Sequence, residues 1–150
     1  MFQTVLVGAD DSTTARKAVV AAAEVARLHG GKFHIVTAYD PKSVRADDLP
    51  PELRYSQSIH PADALLKNLS EIGKAQGLEV EVHAATGSPS EAIVKIAERE
   101  GADLIVVGNR GMRGARRVLG SVPNTVAHHA HCSVLIVDTI DDEEESVAAQ

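Results

Sequence analysis

The chain has 150 residues, a single cysteine and a formal net charge of −6. That length fits one domain with a sizeable core. The lone Cys132 excludes an intramolecular disulfide, and no apolar run approaches the ~20 residues of a membrane span. With no tryptophan, two Phe and two Tyr, and with Asp141, Asp142, Glu143, Glu144 and Glu145 carrying five of the six net negative charges, nucleic acid and membrane are not expected partners.

From Met1 the sequence runs into Thr4-Val5-Leu6-Val7 without a basic n-region or a cleavage site, which predicts no secretory signal and a reducing, cytoplasmic location. Thr4 to Val7 reads as a strand. Ala15 to Leu28 has helical spacing, with Ala18, Ala22, Val25 and Ala26 on one face and Gly30-Gly31 as its stop. Between them Asp10, Asp11 and Ser12 stand where a helix N-cap belongs. One of the three suffices, which leaves Asp10 open to a ligand or to a magnesium ion through oxygen.

Phe33 to Thr37 is the second strand. The stretch from Asp40 to His60 holds Pro41, Pro50 and Pro51 and no clear period, and reads either as a lid or as a long loop with no role. Ala62 to Ala75 is a second helix. Leu78 to His83 is a third strand, and the alternation of Glu79-Val80-Glu81-Val82 marks it as a sheet edge. Ser88-Pro89-Ser90-Glu91 opens a third helix, Ser90 to Glu98, with a cap and an early proline. Leu104 to Val107 is the fourth strand, Val122 to Ala130 the last helix, and Val134 to Val137 the last strand. The expected organisation is one domain, 1–140, and an acidic, disordered tail, 141–150.

Strands and helices alternate throughout, which predicts a single doubly wound α/β domain of Rossmann-like type: a five-stranded parallel sheet with helices on both faces. Right-handed crossovers and an outermost third strand predict the order 3-2-1-4-5, whose winding reverses between the first and fourth strands. Ligands bind at such a switch point. Its carboxyl ends carry Gly8-Ala9-Asp10 and Gly108-Asn109-Arg110-Gly111.

The second of these continues as a run of glycines and arginines up to Gly120-Ser121-Val122-Pro123, where a helix begins. Glycines let backbone N–H groups approach an anion, a helix start adds unpaired donors, and Arg110, Arg113, Arg116 and Arg117 are candidates to neutralise it. The bland reading is a tight strand-to-helix connection. Five residues separate Gly114 from Gly120 and no lysine follows, so the run is not a Walker loop; nor is there a G-x-G-x-x-G.

His128, His129, His131 and Cys132 read better as the end of a helix than as a metal site, and His34, His83, His29 and His60 as structural or solvated. No Ser-His-Asp set or carboxylate pair can be placed around one reacting atom, so no catalytic residue is assigned.

From Thr4 to Val137 the chain resembles the universal stress proteins. The resemblance rests on Val5-Leu6-Val7-Gly8-Ala9-Asp10-Asp11-Ser12, Gly87-Ser88-Pro89, Ala102-Asp103-Leu104-Ile105-Val106-Val107-Gly108, Gly120-Ser121-Val122-Pro123 and Cys132-Ser133-Val134-Leu135-Ile136-Val137. The nucleotide-binding branch of that family is similar in carrying glycine, two residues, glycine, nine residues, glycine and then serine or threonine. Here eight residues separate Gly111 from Gly120, a contraction by one.

The resemblance implies that Gly8, Ala9 and Asp10 line the adenine and ribose side of a nucleotide and that Ala38 faces the base. It implies that Val107, Gly108, Arg110 and Gly111 follow the ribose and phosphates, and that Gly120, Ser121 and Val122 meet the terminal phosphates. It further implies a stress-response regulator or sensor that binds ATP with magnesium, and a homodimer paired through Val134, Leu135, Ile136 and Val137; with no catalytic set to place, the residues leave room for slow ATP hydrolysis at most. The alternatives are a dimeric interaction module of the same fold without nucleotide, and a cAMP-binding protein.

Overall fold

A computed structural model describes residues 1–39, 61–109 and 121–139. Five strands and four helices alternate: β1 (Thr4–Gly8), α1 (Thr13–His29), β2 (Lys32–Tyr39), α2 (Pro61–Ala75), β3 (Val80–Thr86), α3 (Pro89–Glu100), β4 (Leu104–Gly108), α4 (Val122–His129) and β5 (Ser133–Val137). All neighbouring strands pair in parallel, in the order β3-β2-β1-β4-β5. The predicted doubly wound sheet is therefore the observed one, with β3 and β5 at its edges.

The apolar runs of β1, β2 and β4 fall at the centre, as a sheet covered on both faces requires, whereas that of β5 lies at an edge with Leu135 and Ile136 exposed. Val5, Val7, Phe33, Ile35 and Val106 face α1 and α2, where Ala18, Ala22, Ala26, Leu66 and Leu69 complete one core layer. Leu6, Val36, Ile105 and Val107 form the other layer with Ala92, Ile93, Ile96 and Val126 of α3 and α4. Burying one large side chain such as Phe33 contributes about 1.5–3 kcal/mol, so the two layers dominate stability. Alanines on α1 bring that helix close to the sheet.

Helix ends follow local chemistry. Ser12, Ser88 and Ser121 cap α1, α3 and α4, each hydroxyl accepting from the backbone N–H three residues on. Gly30 closes α1 with φ 63° and Gly101 closes α3 with φ 67°, left-handed positions that glycine occupies without steric cost. The third strand is displaced from its expected bounds of Leu78 to His83. Gly77, at φ 79°, and the Leu78 N–H bonded to the Gly73 carbonyl still belong to the turn that ends α2. Pairing therefore starts with Val80 opposite Phe33 and continues to Thr86 opposite Tyr39.

Asp103 ties the start of β4 to that of β1. Its carboxylate accepts from the N–H groups of Gln3 at 2.8 Å and Thr4 at 3.0 Å, while its own N–H donates to the Thr4 carbonyl at 3.1 Å. Burial acts to raise its pKa, but the backbone donors outweigh burial and hold the carboxyl below its ordinary value.

Candidate functional site

At the carboxyl ends of β1 and β4, where the winding reverses, lies a cavity of about 370 Å³. That volume is within the range of small-molecule sites. Its floor is sheet: Gly8 and Ala9 after β1, Val36 and Ala38 on β2, Val107 and Gly108 on β4. Its walls come from the first two turns of α1 and α3 and the start of α4, with Thr14, Ala15 and Ala18 of α1, Pro89 and Ile93 of α3, and Val122 and Pro123 of α4. Asp10, Ser12 and Thr139 add polar groups.

Two glycines make room. A Cβ on Gly8 would run into Ile93, whose Cγ1 would lie at 2.8 Å, and one on Gly108 would meet Thr139 Cγ2 at 2.9 Å. Both contacts are tighter than side chains tolerate. A larger residue at Gly8 would need the end of the Ile93 side chain to shift, and one at Gly108 would need the Thr139 side chain to move.

The polar groups are partly committed. Asp10 is exposed, and its Oδ1 accepts from the Ser12 N–H at 2.8 Å. Ser12, not Asp10, is the N-cap of α1, its hydroxyl accepting from Ala15 N–H at 3.2 Å. An exposed carboxylate on the cavity wall suits magnesium, which keeps most of its waters and needs one or two protein carboxylates beside phosphate oxygens.

Beyond β4, Asn109 accepts from the backbone N–H and hydroxyl of Thr139 and donates through Nδ2 to Asp138. Its own N–H donates to the Val137 carbonyl at 3.0 Å. This ties together the loops that follow β4 and β5.

A profile of the universal stress protein family matches residues 1–138. The chain belongs to the universal stress protein family. Universal stress protein Rv1636 of Mycobacterium tuberculosis H37Rv is 38% identical over 143 residues, covering 92% of this chain and 97% of that one. A putative universal stress protein of Staphylococcus aureus USA300 is 31% identical over 141 residues, with 92% and 85% covered.

Among solved structures, a universal stress protein in complex with cAMP superimposes with a TM-score of 0.77 at 35% identity, covering 93% of this chain and 98% of that one. The universal stress protein from Archaeoglobus fulgidus in complex with dAMP reaches a TM-score of 0.69 at 25% identity, with 91% and 98% covered.

Of the residues singled out in the sequence of this family member, Gly8, Ala9, Asp10, Ala38, Val107, Gly108 and Val122 come together around the cavity. Ser121 is buried at the start of α4, where its hydroxyl accepts from Asn124 N–H at 3.3 Å. Arg110, Gly111 and Gly120, like Arg113, Arg116 and Arg117, lie outside the described residues. So do the stretch from Asp40 to His60 and the acidic tail.

Sequence reasoning missed Ser12, Thr14, Ala15, Ala18, Val36, Pro89, Ile93, Pro123 and Thr139 as lining residues. Pro89 and Pro123 stand within quoted motifs and Ser12 in the capping cluster, so a signal existed for them. Thr139 had none: it follows the last strand in sequence and reaches the cavity only through the pairing of β5 with β4.

Proposed function

We propose that the cavity binds an adenine nucleotide, that this nucleotide is ATP with magnesium, and that the chain works as a nucleotide-dependent stress regulator rather than as a metabolic enzyme. The observation that carries this reading is the convergence of Gly8, Gly108 and the capped start of α4 on one cavity at the reversal of winding. The starts of α1, α3 and α4 turn their positive dipole ends toward the cavity, which favours an anion there.

In this reading the apolar floor at Val36, Ala38 and Val107 takes the base, Asp10 and its neighbours the ribose side, and Gly108, Arg110 and Gly111 the phosphates. Gly120, Ser121 and Val122 meet the phosphate end, and Asp10 is the candidate carboxylate for magnesium. Support for the ligand class comes from the relatives solved with cAMP and with dAMP.

The cAMP complex at 35% identity favours a second reading, in which the ligand is cAMP. A cyclic phosphate makes no demand on a terminal phosphate cradle, and the contraction between Gly111 and Gly120 suits that. We also propose a cytoplasmic homodimer paired through β5, an edge strand on which Leu135 and Ile136 are exposed. Among the described residues no helix is long and apolar enough to cross a membrane.

Calorimetric titration of nucleotide-free protein with ATP plus magnesium, cAMP and adenosine tests the assignment. The first reading expects ATP to bind more tightly than cAMP and adenosine; tighter cAMP establishes the second. Saturable binding of none of the three at millimolar concentration leaves the interaction module without nucleotide.

A further inference from the structure

At the other end of α3, away from the cavity, four potential metal ligands meet. His34 of β2, Glu81 and His83 of β3 and Glu100 of α3 each offer a ligand atom, and these atoms all lie within 4.8 Å of one another. The sheet register brings them there. His34 pairs directly with Glu81, and His83, two residues on, falls diagonally across on the same face.

His34 Nδ1 lies 3.0 Å from His83 Nε2 and 3.5 Å from Glu81 Oε2. The two rings are stacked, with centroids 5.3 Å apart and planes 12° from parallel. We propose that this cluster is a site for a borderline divalent cation of the zinc type, bound by two imidazoles and one or two carboxylates.

Ligands about 2.0–2.1 Å from a tetrahedral zinc ion stand roughly 3.3 Å apart, and the two separations measured at His34 Nδ1 bracket that value. Two imidazoles select zinc-like cations over magnesium and calcium, which take oxygen. His34 is buried, so its ring is held in place by packing, whereas Glu81 is exposed and free to adjust.

The protonation pattern is consistent with this site. Arg99 Nη2 donates to His83 Nδ1 at 3.1 Å, so His83 carries its hydrogen on Nε2 and donates it to His34 Nδ1.

Metal binding replaces the Nε2 hydrogen. His83 shifts to its Nδ1–H tautomer, with no net proton gained or lost, and Arg99 must leave Nδ1. Arg99 also holds Glu100 through Nε at 3.0 Å, so its departure releases that carboxylate to the metal or to the Nδ1–H. With 57% of its side chain exposed, Arg99 can swing into water. It is the cation that competes for the site.

The test is zinc titration of chelator-stripped, full-length protein by calorimetry, with cobalt(II) absorption as a second readout and magnesium and calcium as controls. One equivalent is expected to bind zinc, with tetrahedral cobalt absorption. His83→Gln and Glu81→Gln should each weaken binding at least tenfold, with circular dichroism confirming the fold, and Arg99→Ala should tighten it. Zinc affinity unchanged by His83→Gln and Glu81→Gln, no stoichiometric binding at all, or binding lost in His131→Gln instead, overturns the assignment.

Discussion

Asn109 and Thr139 are joined by two hydrogen bonds that converge on one oxygen: Asn109 Oδ1 accepts from the Thr139 N–H at 3.0 Å and from its hydroxyl at 3.4 Å. Thr139 is buried, and its side chain packs where a Cβ on Gly108 would otherwise stand. The pair holds one wall of the cavity. Asn109→Ala leaves a buried N–H without its partner, a change that costs about 1–3 kcal/mol. Urea unfolding should show that loss, and nucleotide titration a weaker affinity. Asn109→Asp keeps the acceptor for Thr139 but sets a carboxylate against Asp138 in place of the Nδ2 donor, so it should recover stability only when combined with Asp138→Asn, an outcome that a purely steric role for Asn109 does not produce.

Gly8 and Ile93 form a second coupled pair, because a methyl group at Gly8 meets the Ile93 side chain. Gly8→Ala forces Ile93 to shift, and overpacking of this kind costs about 1–3 kcal/mol. Adenine nucleotide binding should weaken in parallel. In an Ile93→Ala background the same substitution should cost at least about 0.5 kcal/mol less, since neighbours in contact are not additive. Equal costs in the two backgrounds would show that Gly8 serves the backbone alone.

The four arginines of the glycine segment can be separated by ligand. If Arg110, Arg113, Arg116 or Arg117 neutralises phosphate, its Arg→Glu variant should lose more affinity for ATP than for adenosine. The gap should narrow as salt screens the exposed charge. Equal losses for both ligands in all four variants would refute the phosphate role.

Asp103 links stability to pH. Its pKa lies below the ordinary carboxylate value in the folded chain, so the unfolded chain binds its proton first as pH falls. Its contribution is complete above the unfolded value of about 3.9 and is lost as pH drops through the lower folded value. Asp103→Asn, which keeps one acceptor of two, should be less stable than the wild type near neutrality. The difference should shrink on acidification through that window, as followed by urea midpoints; a difference independent of pH would place the effect in packing.

Much of the fold is a local property of the sequence. The central apolar runs Val5-Leu6-Val7 and Leu104-Ile105-Val106-Val107, the alternation around Glu79 to Val82, the cap at Ser88 and the stops at Gly30 and Gly101 each act within a few residues. Burial period, cap chemistry and left-handed glycines are written at that range. Strand order then follows from the right-handed crossover and the edge pattern of β3. The cavity could be placed because it lies where that order reverses.

Tertiary structure decided which side chains meet. Asp103 clamps Gln3 and Thr4 across about a hundred residues of chain, Thr139 fills the space beside Gly108, and the ring of His34, which read as merely structural or solvated, lies against that of His83. Each contact depends on strand register. A slip of one residue would turn Glu81 and His83 to the opposite face of β3, and no pattern within either strand specifies which residue of its neighbour it will face. Register comes from the packing of α2 and α3 against the two faces of the sheet, and with it come the wall of the cavity and the histidine cluster.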